Sequence, residues 1–139
     1  MFRKILAAND GSAGAGAALA VALDLAVKFR AELHMICVQE IPWLAETMDE
    51  VEGEKEAAEQ RLIPIMQRAK EHAAQKGVSL ETHLLSGHPV AAISEFVRAH
   101  AFDLLVIGFM GHTALYNRII GSTTDRLVDH APCTVLVVK

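Results

Sequence analysis

The sequence predicts an α/β fold: a doubly wound, five-stranded parallel sheet in the order 3-2-1-4-5, with helices on both faces. Three observations carry this. Short apolar runs such as Leu33–Val38 and Leu104–Ile107 are nearly continuous rather than alternating, as strands buried on both faces must be. Segments of helical period separate these runs, giving strand–helix alternation and hence right-handed crossovers in one sheet. The chain has 139 residues, 52% hydrophobic and 22% charged, which suits one domain over residues 1–139 and excludes a disordered chain.

Taken in order, Lys4–Ala8 reads as the first strand and Asn9-Asp10-Gly11-Ser12 as a turn. Ser12 is a natural N-cap for the Ala-rich helix that follows, whose inward face is Ala18, Ala22, Leu25, Ala26 and Phe29. Leu33–Val38 is the second strand, with His34 placed near its end. The segment Gln39 to Met48 contains Pro42 and Trp43 and is either a lid over a ligand or a surface loop. Asp49–Lys76 is a long charged helix closed by Gly77; Glu50 to Arg61 is its solvated face, and Pro64 predicts a kink or break near Ile63. Val78–Leu85 is a strand nearer an edge with Glu81 and His83 toward water, and Pro89 opens a third helix, Val90–His100, with Ile93, Phe96 and Val97 inward. Asp103–Ile107 is strand four, Ser122–His130 the last helix, stopped by Pro132, and Cys133–Val138 strand five.

Bulk properties remove several function classes. A net charge of −4 with scattered Lys and Arg offers no footprint for nucleic acid. No apolar run approaches the about 20 residues of a membrane span, and the start runs straight into a strand rather than a secretory leader. Cys37 and Cys133 both stand in strand-like stretches, as small hydrophobes of a reducing, cytoplasmic compartment do. The remaining histidines are scattered, with no metal-ligand spacing, so no metal site is expected.

In the order 3-2-1-4-5 a crevice opens between strands one and four, beyond their carboxyl ends, and ligands bind there. The two segments at this crevice are the Asp10 turn and the stretch from Gly108 to Thr123. Gly108 and Gly111 let the backbone turn and approach a ligand with no Cβ in the way. Gly121 and Ser122 put backbone N–H groups and a hydroxyl at a helix start suited to phosphate, and Ser122 with Asp125 reads as a capping pair. Gly11, Gly14 and Gly16 have the wrong order for a dinucleotide fingerprint, and no Gly-Lys-Ser/Thr exists for a P-loop.

The spacing of Gly108, Gly111, Gly121 and Ser122 resembles the nucleotide-binding signature of the universal stress protein family. Asn9-Asp10-Gly11-Ser12 resembles that family's first turn, and Asp129 to Val138 its last strand, so the likeness spans essentially the whole chain. It implies the adenine nucleotide alpha hydrolase-like fold and a crevice holding an adenine nucleotide, ATP, with Mg²⁺ or Mn²⁺ arriving on the phosphates. By position it implies Ala8 and Asp10 at the ribose side, Val38 at the adenine edge, and Ile107, Gly108 and Gly111 along the sugar–phosphate path. Gly121, Ser122 and Thr123 would donate to the phosphates. Read from its own position just after Gly111, His112 either contacts the phosphates when protonated or is a solvated loop histidine. The resemblance also implies a homodimer through strand five, Thr134 to Val138, whose apolar edge otherwise invites aggregation.

Departures are Ala8 where the family often has proline, and the large Phe109 and Met110, which cover, narrow or re-shape the site. No catalytic constellation is legible, since Asp10 is the one carboxylate the sequence places there; binding with slow hydrolysis or none is expected. The first reading is thus an ATP-binding stress-response regulator or sensor. A weak ATP hydrolase or nucleotidyl-transferring enzyme on the same fold, and a dimerising interaction module without nucleotide, are the alternatives.

Overall fold

The computed structural model describes residues 1–40, 48–109 and 120–139. In chain order the elements are β1 (Lys4–Ala8), α1 (Ala13–Phe29), β2 (Glu32–Gln39), α2 (Met48–Gln75), β3 (Leu80–Ser86), α3 (Pro89–Ala99), β4 (Leu104–Gly108), α4 (Ser122–His130) and β5 (Thr134–Val138). They form a five-stranded sheet in the order β3-β2-β1-β4-β5, with every neighbouring pair parallel. The order and the helices on both faces are those expected.

Side-chain alternation along each strand feeds two cores. Ile5, Ala7, Leu33, Met35, Leu104 and Val106 point toward α1 and α2, where Ala18, Ala22, Leu23, Leu62, Ala69 and Ala73 meet them. Leu6, Ile36, Leu105 and Ile107 point the other way, onto Val90, Ile93 and Val97 of α3 and Leu127 of α4. Because β1 and β4 lie mid-sheet with both faces covered, their residues show no polar alternation.

Helix α1 packs unusually close to the sheet. A Cβ placed on Gly108 would stand 2.7 Å from the backbone carbon of Gly14 and 2.9 Å from its oxygen. Gly108 is therefore a contact glycine between β4 and α1, and its missing side chain faces a helix rather than a ligand. The inward positions of α1 also include Leu19 and Leu23, both buried, while Leu25 and Phe29 are only partly covered. Phe29 instead closes the helix end edge-to-face on Phe2, with centroids 5.7 Å apart.

The break expected near Ile63 does not occur: α2 runs unbroken from Met48 to Gln75 with Pro64 inside it. Proline deprives the carbonyl four residues earlier of its partner, and that residue, Gln60, is exposed with Pro64 itself. Water can take the freed carbonyl, so the helix continues. On β3, Glu81 is exposed as expected, but His83 is half-buried and meets the buried His34 across the strand pair. The histidines expected to be scattered are thus in part assembled by strand pairing.

Candidate functional site

Strand β1 has β2 on one side and β4 on the other, so the crossovers leave β1 in opposite directions and open a cleft at the carboxyl ends of these strands. The cleft encloses about 680 Å³, within the range of about 300–1,000 Å³ for small-molecule sites. Ala8 and Asp10 line it from β1 and its turn, and Val38 from β2. Ile107 and Gly108 line it from β4, and Gly121, Ser122 and Thr123 from the start of α4. Gly111, His112 and Met110 lie outside the described residues, as does the Pro42–Trp43 part of the Gln39 to Met48 segment.

The turn after β1 is held by its own side chains. Asn9 is buried; its Oδ1 accepts from the Gly11 N–H at 2.9 Å and its amide donates to the Met35 sulfur at 3.4 Å. Asp10 Oδ1 accepts from the Ser12 N–H at 2.9 Å, and Ser12 Oγ caps α1 by accepting from the Ala15 N–H at 3.2 Å. Gly11 has φ of 84°, where a side chain would be strained. The carboxylate of Asp10 therefore shapes the turn while it stands exposed at the cleft.

At the other wall the cap of α4 differs from the expected Ser122–Asp125 pair. Gly121 is the N-cap, with φ of −63° and ψ of 147°, and makes no side-chain cap bond. Its N–H donates to the Phe109 carbonyl and its carbonyl accepts from the Asp125 N–H, each at 2.9 Å. Ser122 and Thr123 are then the first two helical residues, whose N–H groups have no intrahelical acceptor. Thr124, buried, donates its hydroxyl to the Gly108 carbonyl at 2.7 Å and pins the helix start to the end of β4. The positive end of α4 thus lies at the cleft, its first two N–H groups without an acceptor among the described residues.

Phe109, expected to cover or narrow the site, is not among the residues lining it. Its N–H bonds the Val138 carbonyl, and its ring lies under the Lys139 ammonium, 5.3 Å from the centroid.

Four residues of the site escaped the sequence reading. Asn9 and Thr124 are its internal ties. Gln39 is buried at the end of β2, and its amide nitrogen has no hydrogen-bond partner among the described residues. Arg61, counted above as part of a solvated helix face, is the one cation among the described residues lining the cleft; the carboxylates there are Asp10, Glu40 and Glu54. A polar residue closing an apolar strand was the available signal for Gln39; Arg61 carried none, because only the packing of α2 turns it inward. Beside the cleft, burial pushes the Cys37 thiol up to about 11, with the negative charge of Asp10 adding to the rise and Arg61 opposing it. No histidine is among the described lining residues.

The model of the Universal stress protein family matches residues 1–139. A universal stress protein of Methanocaldococcus jannaschii is 34% identical over 145 residues, covering 100% of this chain and 83% of the relative. One from Bacillus subtilis is 31% identical over 151 residues, with 100% of both chains covered. Among solved structures, universal stress protein UspA from Lactobacillus plantarum has a TM-score of 0.90 at 27% identity, covering 99% of this chain and 98% of that one. A universal stress protein in complex with cAMP (22% identity, TM-score 0.77, covering 99% and 97%) and one from Arabidopsis thaliana with AMP bound (16%, 0.68, 99% and 91%) share the fold.

Proposed function

The chain belongs to the universal stress protein family, and from that premise we propose that its cleft binds an adenine nucleotide, ATP first, as the ligand of a cytoplasmic stress-response regulator. The observation that carries this reading is the start of α4: two successive backbone N–H groups, those of Ser122 and Thr123, open onto the same cleft as Asp10 and Val38. Ser122 and Thr123 would hold phosphate oxygens, and Asp10 would accept from ribose hydroxyls. The backbone at Val38 would meet the adenine edge, where the Gln39 amide, without a partner among the described residues, offers a further donor. Relatives of the same fold hold cAMP and AMP, which supports an adenine ligand.

Among the described lining residues three carboxylates face one guanidinium, so a triphosphate that brings its own cation would meet these carboxylates with less repulsion. Mg²⁺ or Mn²⁺ bound through the phosphates fits this balance, since such ions are held by substrate oxygens and few protein ligands. What the residues supply is binding and orientation. Hydrolysis is slow or absent in this reading, which rests on binding groups alone; among the described lining residues no histidine stands ready to activate water.

The open edge of the sheet supports a second part of the reading. Among the described residues strand β5 pairs only with β4, and Leu136 on it is 36% exposed. A second copy adding its own β5 would cover this edge symmetrically.

The test is to denature the purified protein, separate the supernatant by ion exchange, and measure nucleotide per chain. Near-stoichiometric ATP supports a slow-turnover sensor. ADP or AMP supports the hydrolase alternative. No nucleotide, with no titration by added ATP, leaves a dimerising module without nucleotide and refutes the proposal.

A further inference from the structure

Toward the opposite end of the sheet from the cleft, two Glu-x-His segments lie side by side: Glu32-Leu33-His34 opens β2, and Glu81-Thr82-His83 follows Leu80 in the first half of β3. The strands pair with His34 opposite Glu81. Alternation then sends Glu32, His34, Glu81 and His83 to one face, the α3 side. His34 Nδ1 lies 2.8 Å from His83 Nε2 and 3.3 Å from Glu81 Oε2, and the last two atoms are 4.0 Å apart. A point equidistant from these three atoms lies about 2.0 Å from each, which is the length of a zinc–nitrogen or zinc–oxygen bond.

We propose that His34, Glu81 and His83 form a binding site for a divalent transition-metal ion, Zn²⁺ first, with water completing the coordination. The surroundings are those a metal site needs. His34 Nε2 is 2.8 Å from Glu32 Oε1, and an ionised carboxylate only accepts, so the ring donates there and its Nδ1 lone pair faces the other two ligands. That is the carboxylate–histidine arrangement that orients metal-bound imidazoles. The rings are walled by aromatics: His34 stands edge-on to Phe102 at 5.0 Å and His83 lies against Phe96 at 4.7 Å. His34 is buried, whereas Glu81 is exposed, which gives an ion a way in and leaves a coordination position to water.

Two imidazoles and one carboxylate select Zn²⁺ over Mg²⁺ or Ca²⁺, which prefer all-oxygen shells. The fixed charges agree. Two carboxylates and the nearby Lys4 ammonium, which sits 4.7 Å from the Phe102 ring, leave one negative charge for the ion to offset. A bound ion would staple the first turns of β2 and β3, independently of whatever occupies the far cleft.

The experiment strips the full-length protein with EDTA and titrates Zn²⁺ against a chromophoric chelator, with Co²⁺ as a spectroscopic stand-in. One Zn²⁺ per chain is expected, with visible Co²⁺ bands of a four-coordinate N/O site. Glu81→Gln, on an exposed side chain, and His83→Gln should each abolish it. Glu32→Gln should weaken it by about 10–100-fold, and His130→Gln, on α4, should leave it unchanged. Far-UV circular dichroism on each variant separates lost metal from lost fold. Absence of stoichiometric Zn²⁺ in the wild type, or binding that survives in folded Glu81→Gln and His83→Gln variants, overturns the site.

Discussion

Replacing Gly108 by alanine tests what the first glycine of the loop motif is for. The added Cβ would lie 2.7 Å from Gly14 C, 2.9 Å from Gly14 O and 3.1 Å from Ala15 N, all backbone atoms of α1. None of these can swing aside as a side-chain tip would. Either α1 lifts from the sheet or β4 bends, and overpacking of this kind costs about 1–3 kcal/mol. For a chain of 139 residues, each kcal/mol lowers Tm by about 3–4 °C, so Gly108→Ala should melt roughly 3–12 °C below wild type. Thermal and urea unfolding followed by circular dichroism supply the number, and nucleotide titration of the same variant supplies the contrast. A glycine kept only for ligand approach would give the opposite pattern, with unchanged Tm and lost affinity. That result would refute the packing argument.

Gly121→Val should remain folded, because φ of −63° suits any residue, and should lose nucleotide affinity as the branched side chain enters the phosphate path; calorimetric titration of a folded variant with wild-type affinity would remove α4 from the site. Arg61→Ala removes the one cation of the described cleft lining, and an exposed charge contact of about 1 kcal/mol predicts roughly fivefold weaker ATP binding with little change for adenosine. The Cys37 thiol is raised from 9.0 to about 11 by burial, so its contribution to stability is complete below pH 9 and is lost as pH rises toward 11. The stability gap between wild type and Cys37→Ala should therefore narrow by about 2–3 kcal/mol across that window, and a gap that stays constant in urea titrations would contradict the shift.

The fold was legible because the hydrophobic period changes type cleanly from segment to segment. Runs such as Leu104–Ile107 are apolar at every position only because a parallel sheet buries both faces. Several residues lining the cleft could be read as well, since glycines and hydroxyls after strands one and four become neighbours once the strand order is assumed. What could not be read depended on three-dimensional context. The cost of Pro64 hinges on whether its turn faces water, which no local pattern states. Arg61 looks like any residue of a charged helix face until α2 is docked. Gly108 is chemically mute: the same letter serves a turn, a phosphate or a helix contact, and only the position of Gly14 decides. His34 and His83 stand 49 positions apart and meet through one strand pairing. The repeated Glu-x-His was the one trace of their pairing in the sequence.

The hydrogen bonds around α4 bind the stability argument to the site argument. Of the donors at its start, the Gly121 N–H is committed to Phe109, and the Thr124 hydroxyl to the Gly108 carbonyl. These two bonds fix the helix end to the tip of β4, and they leave Ser122 and Thr123 as the N–H pair facing the cleft. The direction in which that pair points thus depends on where Gly108 sits, and Gly108 sits where α1 lets it. A displacement at the Gly108–Gly14 contact would be carried through the 2.7 Å Thr124 bond to the Ser122 and Thr123 N–H groups. Gly108→Ala should therefore weaken nucleotide binding as well as stability, whereas Gly121→Val should affect binding far more than Tm. Measured together, the two variants separate a glycine that positions the donors from a glycine that stands among them. Thr124→Val, which keeps the side-chain shape and deletes the tie, should reproduce the binding loss of Gly108→Ala without a steric clash. Wild-type affinity in that variant would show that the helix start is held by packing alone.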